Sequence, residues 1–144
     1  GPNDNYDLKS SHVLPAMIRK FHEAKINGNA PVELWGTGSP MREFLHVDDL
    51  AQAVLFGLEN TLEEHLYNVG TGVDLTIKDL ALLIQSTIGH KDEMVWDTNK
   101  PDGTPRKLMD VSRLKNQGWN SSVELEEGVS KTYAWFLDNF DKNA

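Results

Sequence analysis

The chain has 144 residues, of which 39% are hydrophobic, so it can bury one sizeable core and is expected to form a single domain. Its 14 Lys and Arg against 22 Asp and Glu give a formal charge of −8, which repels phosphate-rich polymers and argues against a nucleic-acid partner. The absence of cysteine excludes a disulfide framework and fits a reducing compartment, so we expect a cytoplasmic location. Without an 18-residue apolar run or a signal-like start, neither membrane association nor export is expected.

The first third of the chain reads as one helix and two strands. Ser10 and Ser11 are the expected caps of a helix whose apolar side chains recur at helical spacing, namely Leu14, Met17, Ile18 and Phe21. Residues 32–35 read as a strand that the turn residues 36–40 end, and residues 43–47 are predicted to form a second strand.

The remaining two thirds continue the alternation of helices and strands. Asp48 is the expected cap of a second helix with an apolar stripe, made of Leu50, Ala51, Val54, Leu55 and Leu58. A strand over residues 66–69 and a helix from Thr76 to Gly89 follow, and Thr76 with Asp79 resembles a capping box. We then expect a strand at residues 94–96, a polar loop at 97–107, a short helix at 112–117 and a last helix over 125–140. The pattern predicts an α/β fold.

Several kinds of chemistry lack their motifs in this sequence. Gly36-Thr37-Gly38 and Gly70-Thr71-Gly72 both fail the G-x-G-x-x-G spacing of a dinucleotide cradle, and no tyrosine has a lysine four residues later. The five histidines are scattered without metal-ligand spacing, and there is no G-x-S-x-G elbow. We therefore expect no metal site, no hydrolase centre and no complete redox machinery in these residues.

Five stretches resemble a known family. One stretch resembles the segment of extended short-chain dehydrogenases that binds a sugar nucleotide, namely Trp35-Gly36-Thr37-Gly38-Ser39-Pro40-Met41-Arg42-Glu43-Phe44-Leu45-His46-Val47-Asp48-Asp49. A second feature of that superfamily is Asn68-Val69-Gly70-Thr71-Gly72. The narrower signal is Lys100-Pro101-Asp102-Gly103-Thr104-Pro105-Arg106-Lys107, together with Ser11-His12-Val13 and Phe21-His22-Glu23-Ala24. With these, the sequence is similar to the carboxy-terminal part of the GDP-L-fucose synthase family from residue 1 to about residue 139.

The resemblance implies a fold, a cofactor and a reaction. It implies the carboxy-terminal substrate-binding domain of an extended short-chain dehydrogenase over residues 1–144, with most of the NAD(P)-binding Rossmann-like domain, the catalytic Ser/Tyr/Lys and a cysteine acid/base lying before residue 1. Residues 43–70 would complete the edge of that Rossmann sheet. The family binds NADP(H), without a metal, and converts GDP-4-keto-6-deoxy-D-mannose to GDP-L-fucose by two epimerisations and a reduction. The full-length enzyme would be a homodimer, and these residues alone would be inactive.

The resemblance also assigns roles to six residues. His12 matches the catalytic acid/base that lies near the nicotinamide, which makes it a cofactor contact too; the alternative is a histidine that merely starts a helix. Five positions match substrate-binding residues for the GDP-sugar, namely Lys20, Trp35, Arg42, Asp102 and Lys107. The competing interpretations are a surface salt bridge of Arg42 with Glu43 or Asp48, a core tryptophan and a solvated loop. We interpret Arg106 as a salt-bridging neighbour and the other four histidines as structural or surface residues.

Two other functions stay open at this stage. One is the substrate domain of a related epimerase or dehydratase that acts on a UDP- or dTDP-sugar, which would share the Arg42 segment without needing residues 100–107. The other is a non-catalytic module that binds sugar nucleotides, which is consistent with the absent cofactor motifs.

Overall fold

The structure, a computed structural model, describes residues 1–140, so residues 141–144 of the predicted domain lie outside the described residues. Helices and strands alternate along the chain, which confirms the predicted α/β class. The elements are α1 (Val13–Ile26), β1 (Val32–Trp35), β2 (Met41–Glu43), α2 (Val47–Glu59), β3 (Asp74–Thr76), α3 (Ile77–Ile88), β4 (Met94–Asp97), β5 (Arg106–Lys107), α4 (Ser112–Asn116) and α5 (Leu125–Asn139).

The strands form two small sheets. β1 and β4 run parallel, in register from Val32 opposite Met94 to Trp35 opposite Asp97. In the second sheet β2 is central, antiparallel to β3 and parallel to β5. Because parallel strands end at the same edge, the turn after β1 and the loop after β4 lie side by side. This edge positions the candidate site.

The main core lies where α1, α3 and α5 pack against β1. Its buried side chains are Tyr6, Met17, Ile18, Phe21, Val32, Leu34, Leu80, Ala81, Ile84, Ile88, Val129 and Phe136. Burying a large apolar side chain is worth about 1.5–3 kcal/mol, so this cluster holds the three helices in place. A smaller second cluster joins α2 to the segment around α4 through Ala53, Leu114 and Trp119.

The third helix follows its sequence signals closely. Thr76 is the N-cap of α3, and its hydroxyl accepts a hydrogen bond from the Asp79 backbone N–H at 3.0 Å. Gly89 ends the helix in the left-handed backbone conformation, with φ of +76°. Residues that have a Cβ rarely adopt this conformation. The predicted bounds of this helix and of β1 are confirmed, and β4 extends one residue beyond the predicted strand at 94–96, to Asp97.

The predicted caps of the first two helices are wrong. His12, and not Ser10 or Ser11, is the residue before α1, and it makes no side-chain cap bond. His46 is the N-cap of α2, where its Nδ1 accepts a hydrogen bond from the Asp48 backbone N–H at 3.3 Å. Asp48 therefore lies inside the first turn, where a carboxylate also suits the positive end of the helix dipole.

Two predicted strands are not formed as expected. Residues 44–46 are not in a strand, because β2 ends at Glu43, and residues 66–69 form no strand. A strand requires a neighbouring backbone to pair with, and none among residues 1–140 pairs with these segments. Conversely, the loop predicted over 97–107 ends in β5, because Arg106 and Lys107 pair with β2.

The apolar stripe of α2 points away from the described core. Its side chains Val47, Leu50, Val54, Leu55 and Leu58 are all exposed, Leu58 by 78%, and we call these five residues the α2 apolar face. The buried residues of the helix are Asp49 and Ala53. The periodicity correctly predicted a helix, but the stripe finds no partner among residues 1–140. Within the same residues, no helix is long and apolar enough to cross a membrane.

Candidate functional site

The edge where β1 and β4 end carries two adjoining cavities, which we call together the Trp35 cleft. One cavity of about 180 Å³ is lined by Val13, Trp35, Gly38, Pro40, Arg42, Ile77 and Asp102. The other, of about 220 Å³, lies between α1 and β1 and is lined by Lys20, Ser11 and mostly apolar side chains. Trp35 is a wall of both cavities. Four of the five predicted substrate-binding residues therefore line one cleft, namely Lys20, Trp35, Arg42 and Asp102.

Trp35 is the last residue of β1 and projects from the edge of the sheet. Its side chain is 64% exposed, so it is not a core tryptophan. The Lys20 Nζ lies 5.8 Å and the Lys100 Nζ 5.3 Å from the indole centroid, both within the range of a cation–π interaction. Lys20 is also held by its own hydrogen bond, which its Nζ donates to the Glu33 carbonyl at 2.9 Å. The indole thus has two cations near its ring, although the chain as a whole is strongly acidic.

Asp102 joins the loop after β4 to the turn after β1. The Thr37 backbone N–H and hydroxyl each donate a hydrogen bond to its carboxylate at 2.7 Å, and these bonds hold the pKa of Asp102 below its usual range. The contact requires glycine at position 36, because a Cβ there would collide with Asp102 Oδ1 and φ is +79°. Asp102 therefore fixes the shape of the cleft wall, and its direct contact with a ligand stays a prediction.

Arg42 lies in the middle of β2 with its guanidinium in the cleft. Its Nη1 donates a hydrogen bond to the Met41 carbonyl at 2.6 Å. Within residues 1–140 it makes no ion pair, so the salt bridge with Glu43 or Asp48 is not formed. Glu43 instead accepts a hydrogen bond from the Gly72 N–H at 2.6 Å. The planar fork of Arg42 keeps donors free for a bidentate anion such as a diphosphate.

The two basic residues of β5 behave differently. Lys107 stands opposite Arg42 in the register of the sheet, so the two residues share one face, but Lys107 is exposed and lines neither cavity. Arg106 forms a bidentate ion pair with Asp74, at 2.6 and 3.1 Å, which lowers the pKa of that carboxyl. The interpretation of Arg106 as a salt-bridging residue is confirmed, and the substrate contact of Lys107 stays a prediction.

His12 lies at the rim of the cleft. It precedes α1 in extended backbone, its side chain is exposed, and its neighbours Ser11 and Val13 line the cavities while His12 does not. The imidazole is therefore free to meet a group that approaches from outside these residues, which fits the predicted acid/base and cofactor contact. Neither assignment is tested by this geometry alone.

Most of the other histidines are structural, as expected. His22 Nδ1 lies 3.1 Å from the Tyr133 hydroxyl and His90 Nε2 lies 2.8 Å from the Ala30 carbonyl, both in the interior. His46 is the buried cap of α2, and His65 is exposed. Among residues 1–140, no group of three or more histidine, aspartate or glutamate side chains could hold a metal ion.

The glycine-containing turns do not build a dinucleotide cradle. The turn at residues 36–38 leads from β1 into β2, and the turn at 70–72 leads into β3. A dinucleotide pyrophosphate is bound where a strand passes through a glycine-rich turn directly into a helix, so that the helix N-terminus faces the phosphates. Neither turn has this arrangement, because neither leads directly into a helix.

Two residues beside the cleft were given no individual role from the sequence, although Lys100 begins the quoted run of residues 100–107. Thr37 clamps Asp102, and Lys100 reaches the Trp35 ring. Both contacts cross between β1 and β4, whose parallel pairing is set by packing with α1 and α3 and has no local signal in the sequence. The only hint was the polar character of residues 97–107 itself.

The first half of the chain is similar to a known family of proteins. Residues 1–70 match the model of the NAD dependent epimerase/dehydratase family.

Comparison with individual proteins narrows this class. The chain is 54% identical to putative GDP-L-fucose synthase 2 of Arabidopsis thaliana, over 96% of this chain and 42% of that protein. It is 50% identical to GDP-L-fucose synthase of Escherichia coli K12, over 99% of this chain and 47% of that protein. The resemblance to GDP-L-fucose synthases is therefore confirmed over nearly the whole chain. The chain spans less than half the length of these relatives and corresponds to a carboxy-terminal portion of them.

Solved structures agree with this assignment. A GDP-L-fucose synthetase from Naegleria fowleri matches 98% of this chain and 44% of its own, with a TM-score of 0.90 and 28% identity. A GDP-L-fucose synthetase of that organism has also been solved bound to NADP. UDP-glucose 4-epimerase from Thermotoga maritima, with UDP-glucose, matches 97% of this chain and 43% of its own at a TM-score of 0.83 and 25% identity. These matches confirm the predicted α/β fold class and show that the chain corresponds to part of the fold of such proteins.

Proposed function

We propose that this chain is the sugar-nucleotide-binding part of a GDP-L-fucose synthase, which converts GDP-4-keto-6-deoxy-D-mannose to GDP-L-fucose by 3,5-epimerisation and NADPH-dependent 4-reduction. The observation that carries the proposal is the Trp35 cleft, where an exposed indole and the free fork of Arg42 line one cavity in a chain of charge −8. An anionic ligand with an aromatic base suits this combination. The 50–54% identity to GDP-L-fucose synthases supports the same ligand.

Each residue of the cleft has a different role in binding the ligand. Arg42 binds the diphosphate through two parallel N–H donors, and Lys20 adds a point charge near the same end of the ligand. The Trp35 indole packs on a ring of the nucleotide. Asp102 shapes the wall of the cleft and can accept a further hydrogen bond from the ligand, while Lys107 extends the cationic surface from the face of β2 that it shares with Arg42.

His12 is the acid/base of the epimerisations in this proposal. Its exposed imidazole at the start of α1 removes and returns protons at the carbons beside the ketone. NADPH, when bound, supplies the hydride for the reduction and is held mainly by a domain that precedes these residues in the full-length protein. His12 contacts the nicotinamide from the rim of the cleft.

The same proposal covers the organisation of the protein. Residues 1–144 form one substrate-binding domain, and residues 43–70 complete the edge of a neighbouring Rossmann sheet. The exposed α2 apolar face and the segments 44–46 and 66–69, which pair with no strand among residues 1–140, support this organisation. We further propose that the full-length enzyme is a cytoplasmic homodimer.

The test of the proposed function is the choice of nucleotide. Full-length protein is titrated calorimetrically with GDP, UDP and dTDP under identical salt and pH. We expect GDP to bind at least about tenfold more tightly than the other two, because a site built to hydrogen-bond one base leaves polar groups unpaired with another. Preference for UDP or dTDP would reject the assignment.

A second candidate function has a specific observation in its favour. The structural likeness to UDP-glucose 4-epimerase is nearly as high as that to the GDP-L-fucose synthetase, so the fold also suits an epimerase or dehydratase that acts on a UDP- or dTDP-sugar. The titration above separates the two. A non-catalytic sugar-nucleotide-binding module is the third possibility, and a G-x-x-G-x-x-G motif with a Tyr-x-x-x-Lys pair in the reading frame before residue 1 would reject it.

A further inference from the structure

The pairing of two strands brings the cation Lys100 beside Trp35, at the rim of the Trp35 cleft, although Lys100 itself lines neither cavity. It lies in the loop after β4, where its backbone N–H donates a hydrogen bond to the Asp97 carbonyl at 3.1 Å. Because Asp97 is opposite Trp35 in the parallel register, this turn lies beside the indole. The Lys100 Nζ is 5.3 Å from the centroid of the indole ring.

The charge of Lys100 is not neutralised by its neighbours. Within residues 1–140 its ammonium has neither a carboxylate at ion-pair distance nor a hydrogen-bond acceptor. The acidic residues of the same loop have other donors, since Asp97 Oδ1 accepts from the Asn99 side chain at 3.0 Å and Asp102 accepts from Thr37. The charge is therefore available to an anion that enters the cleft.

A second ammonium on the same ring makes an anion still more favourable. Lys20 Nζ lies 5.8 Å from the same centroid, so two like charges lie near one indole, and a cation–π contact at an exposed site is weak. An anionic group beside the ring would gain an attraction to the ammonium that it approaches.

We propose that Lys100 is a further substrate-binding residue, which acts with Lys20 at the Trp35 end of the cleft to bind the phosphates of a sugar nucleoside diphosphate. The inference rests on the proposed function and deepens it. An ammonium is a point charge without fixed geometry, so the contribution of Lys100 to affinity depends on the charge of the ligand. The guanidinium of Arg42 has a fixed arrangement of donors, so its contribution depends on the geometry of the ligand.

The test compares two full-length variants, each of which loses the positive charge of one lysine at a different position. Lys100→Met keeps the length and apolar stem of the side chain, and the matched control Lys91→Met removes an exposed lysine near the opposite end of the β1–β4 pair. Calorimetric titration with GDP at low and at moderate salt gives the affinity and its salt dependence. We expect Lys100→Met to weaken GDP binding about tenfold and to flatten the salt dependence, and Lys91→Met to change affinity less than about twofold.

The remaining variants show which of the two proposals a negative result would reject. Lys100→Arg keeps the charge and is expected to retain most of the affinity, a rescue that a merely structural role would not produce. If wild type and Arg42→Ala behave as the proposed function requires but Lys100→Met matches Lys91→Met, the role of Lys100 is rejected alone. If wild-type protein does not bind GDP, the proposed function is rejected, and the role of Lys100 with it.

Discussion

Arg42 is the cleft residue whose side chain is most clearly available to a ligand. Its guanidinium has donors to spare and no carboxylate partner within residues 1–140. In full-length protein we expect Arg42→Ala to weaken binding of the GDP-sugar by about 1.5–3 kcal/mol, or one to two decades, because a bidentate charge-assisted contact is lost. Calorimetry with GDP-sugar and, separately, with NADPH measures the effect, and NADPH affinity should be unchanged.

Arg113→Ala is the matched control for this prediction. Arg113 is exposed in α4, away from the cleft, and lies 3.8 Å from Glu64 across the surface. Exposed pairs of this kind contribute about 0–1 kcal/mol, so the variant should bind both ligands like wild type. Equal loss of GDP-sugar and NADPH affinity in Arg42→Ala would instead make Arg42 a structural residue.

His12 allows the two chemistries of the proposed enzyme to be separated. Asparagine at this position keeps a polar side chain but cannot act as an acid or base near neutral pH. General acid–base catalysis contributes about 10²–10⁴-fold, so His12→Asn in the full-length enzyme should slow epimerisation by about that factor with little change in GDP-sugar binding. Solvent deuterium incorporation at the two carbons beside the ketone, with identification of the sugar product, measures it.

The product itself reports on His12. Because reduction takes its hydride from NADPH, the variant is expected to reduce the un-epimerised ketone and release a GDP-6-deoxyhexose other than fucose. Wild-type exchange and an unchanged yield of GDP-L-fucose in His12→Asn would leave His12 as a residue that only begins a helix.

The sequence identified the chemical groups of the cleft better than their contacts. Lys20, Trp35, Arg42 and Asp102 are brought together as predicted. The Thr37 clamp on Asp102 was not predicted, because it joins residues 65 positions apart whose proximity depends on strand pairing. Lys107 was predicted as a contact from the resemblance alone, and the structure places it beside the cleft without lining it.

At the scale of elements, one buried carboxylate ties α2 to the segment before α5. Asp49 is 2% exposed and accepts hydrogen bonds from the Ser122 N–H and hydroxyl and from the Val123 N–H, at 2.8 to 3.0 Å. Burial acts to raise the pKa of Asp49, but the hydrogen bonds outweigh it and the pKa lies below its ordinary value of 3.8. The ionised form is therefore the one that holds the two elements together.

This predicts how Asp49→Asn depends on pH. A carboxyl whose pKa is depressed by folding contributes stability above its unfolded pKa and loses it as the pH falls through the folded pKa. We expect the variant to lower the free energy of unfolding by about 1–3 kcal/mol at pH 7, and the difference from wild type to shrink below about pH 3.8. Urea unfolding of both full-length proteins at several pH values measures it. A difference that stays constant down to pH 3 would contradict the role of the charge.

Elements with their own local signals were predictable, and elements that depend on a distant partner were not. α3 carries a capping box, an apolar stripe and a terminating glycine, and its bounds follow from these. The segments 44–46 and 66–69 have the composition of strands but no neighbouring backbone within residues 1–140, so they remain irregular. β5 is the reverse case, because two basic residues without strand character pair with β2 when the loop is clamped beside it.

At the scale of the whole molecule, binding of the dinucleotide and binding of the sugar nucleotide should be separable. We expect the chain of residues 1–144 alone to bind NADPH no more tightly than about 100 μM, since neither glycine-containing turn can cradle its pyrophosphate. Fluorescence titration with NADPH tests this, with full-length protein as the positive control and circular dichroism to verify that the short chain is folded. Sub-micromolar binding by the short chain would place the cofactor site within these residues.

The α2 apolar face has a practical consequence for anyone who handles these residues in isolation. Five exposed aliphatic side chains on one helix form an adhesive surface that favours self-association and retention by chaperones, against which the charge of −8 is a partial protection. Leu50, Val54 and Leu58 lie outside both buried clusters, so exchanging them for glutamate or lysine leaves the core intact. If the face packs against a neighbouring Rossmann domain, as proposed above, the same exchange is expected to destabilise the longer protein. This surface therefore shows where solubility engineering and assembly make opposite demands on the same helix.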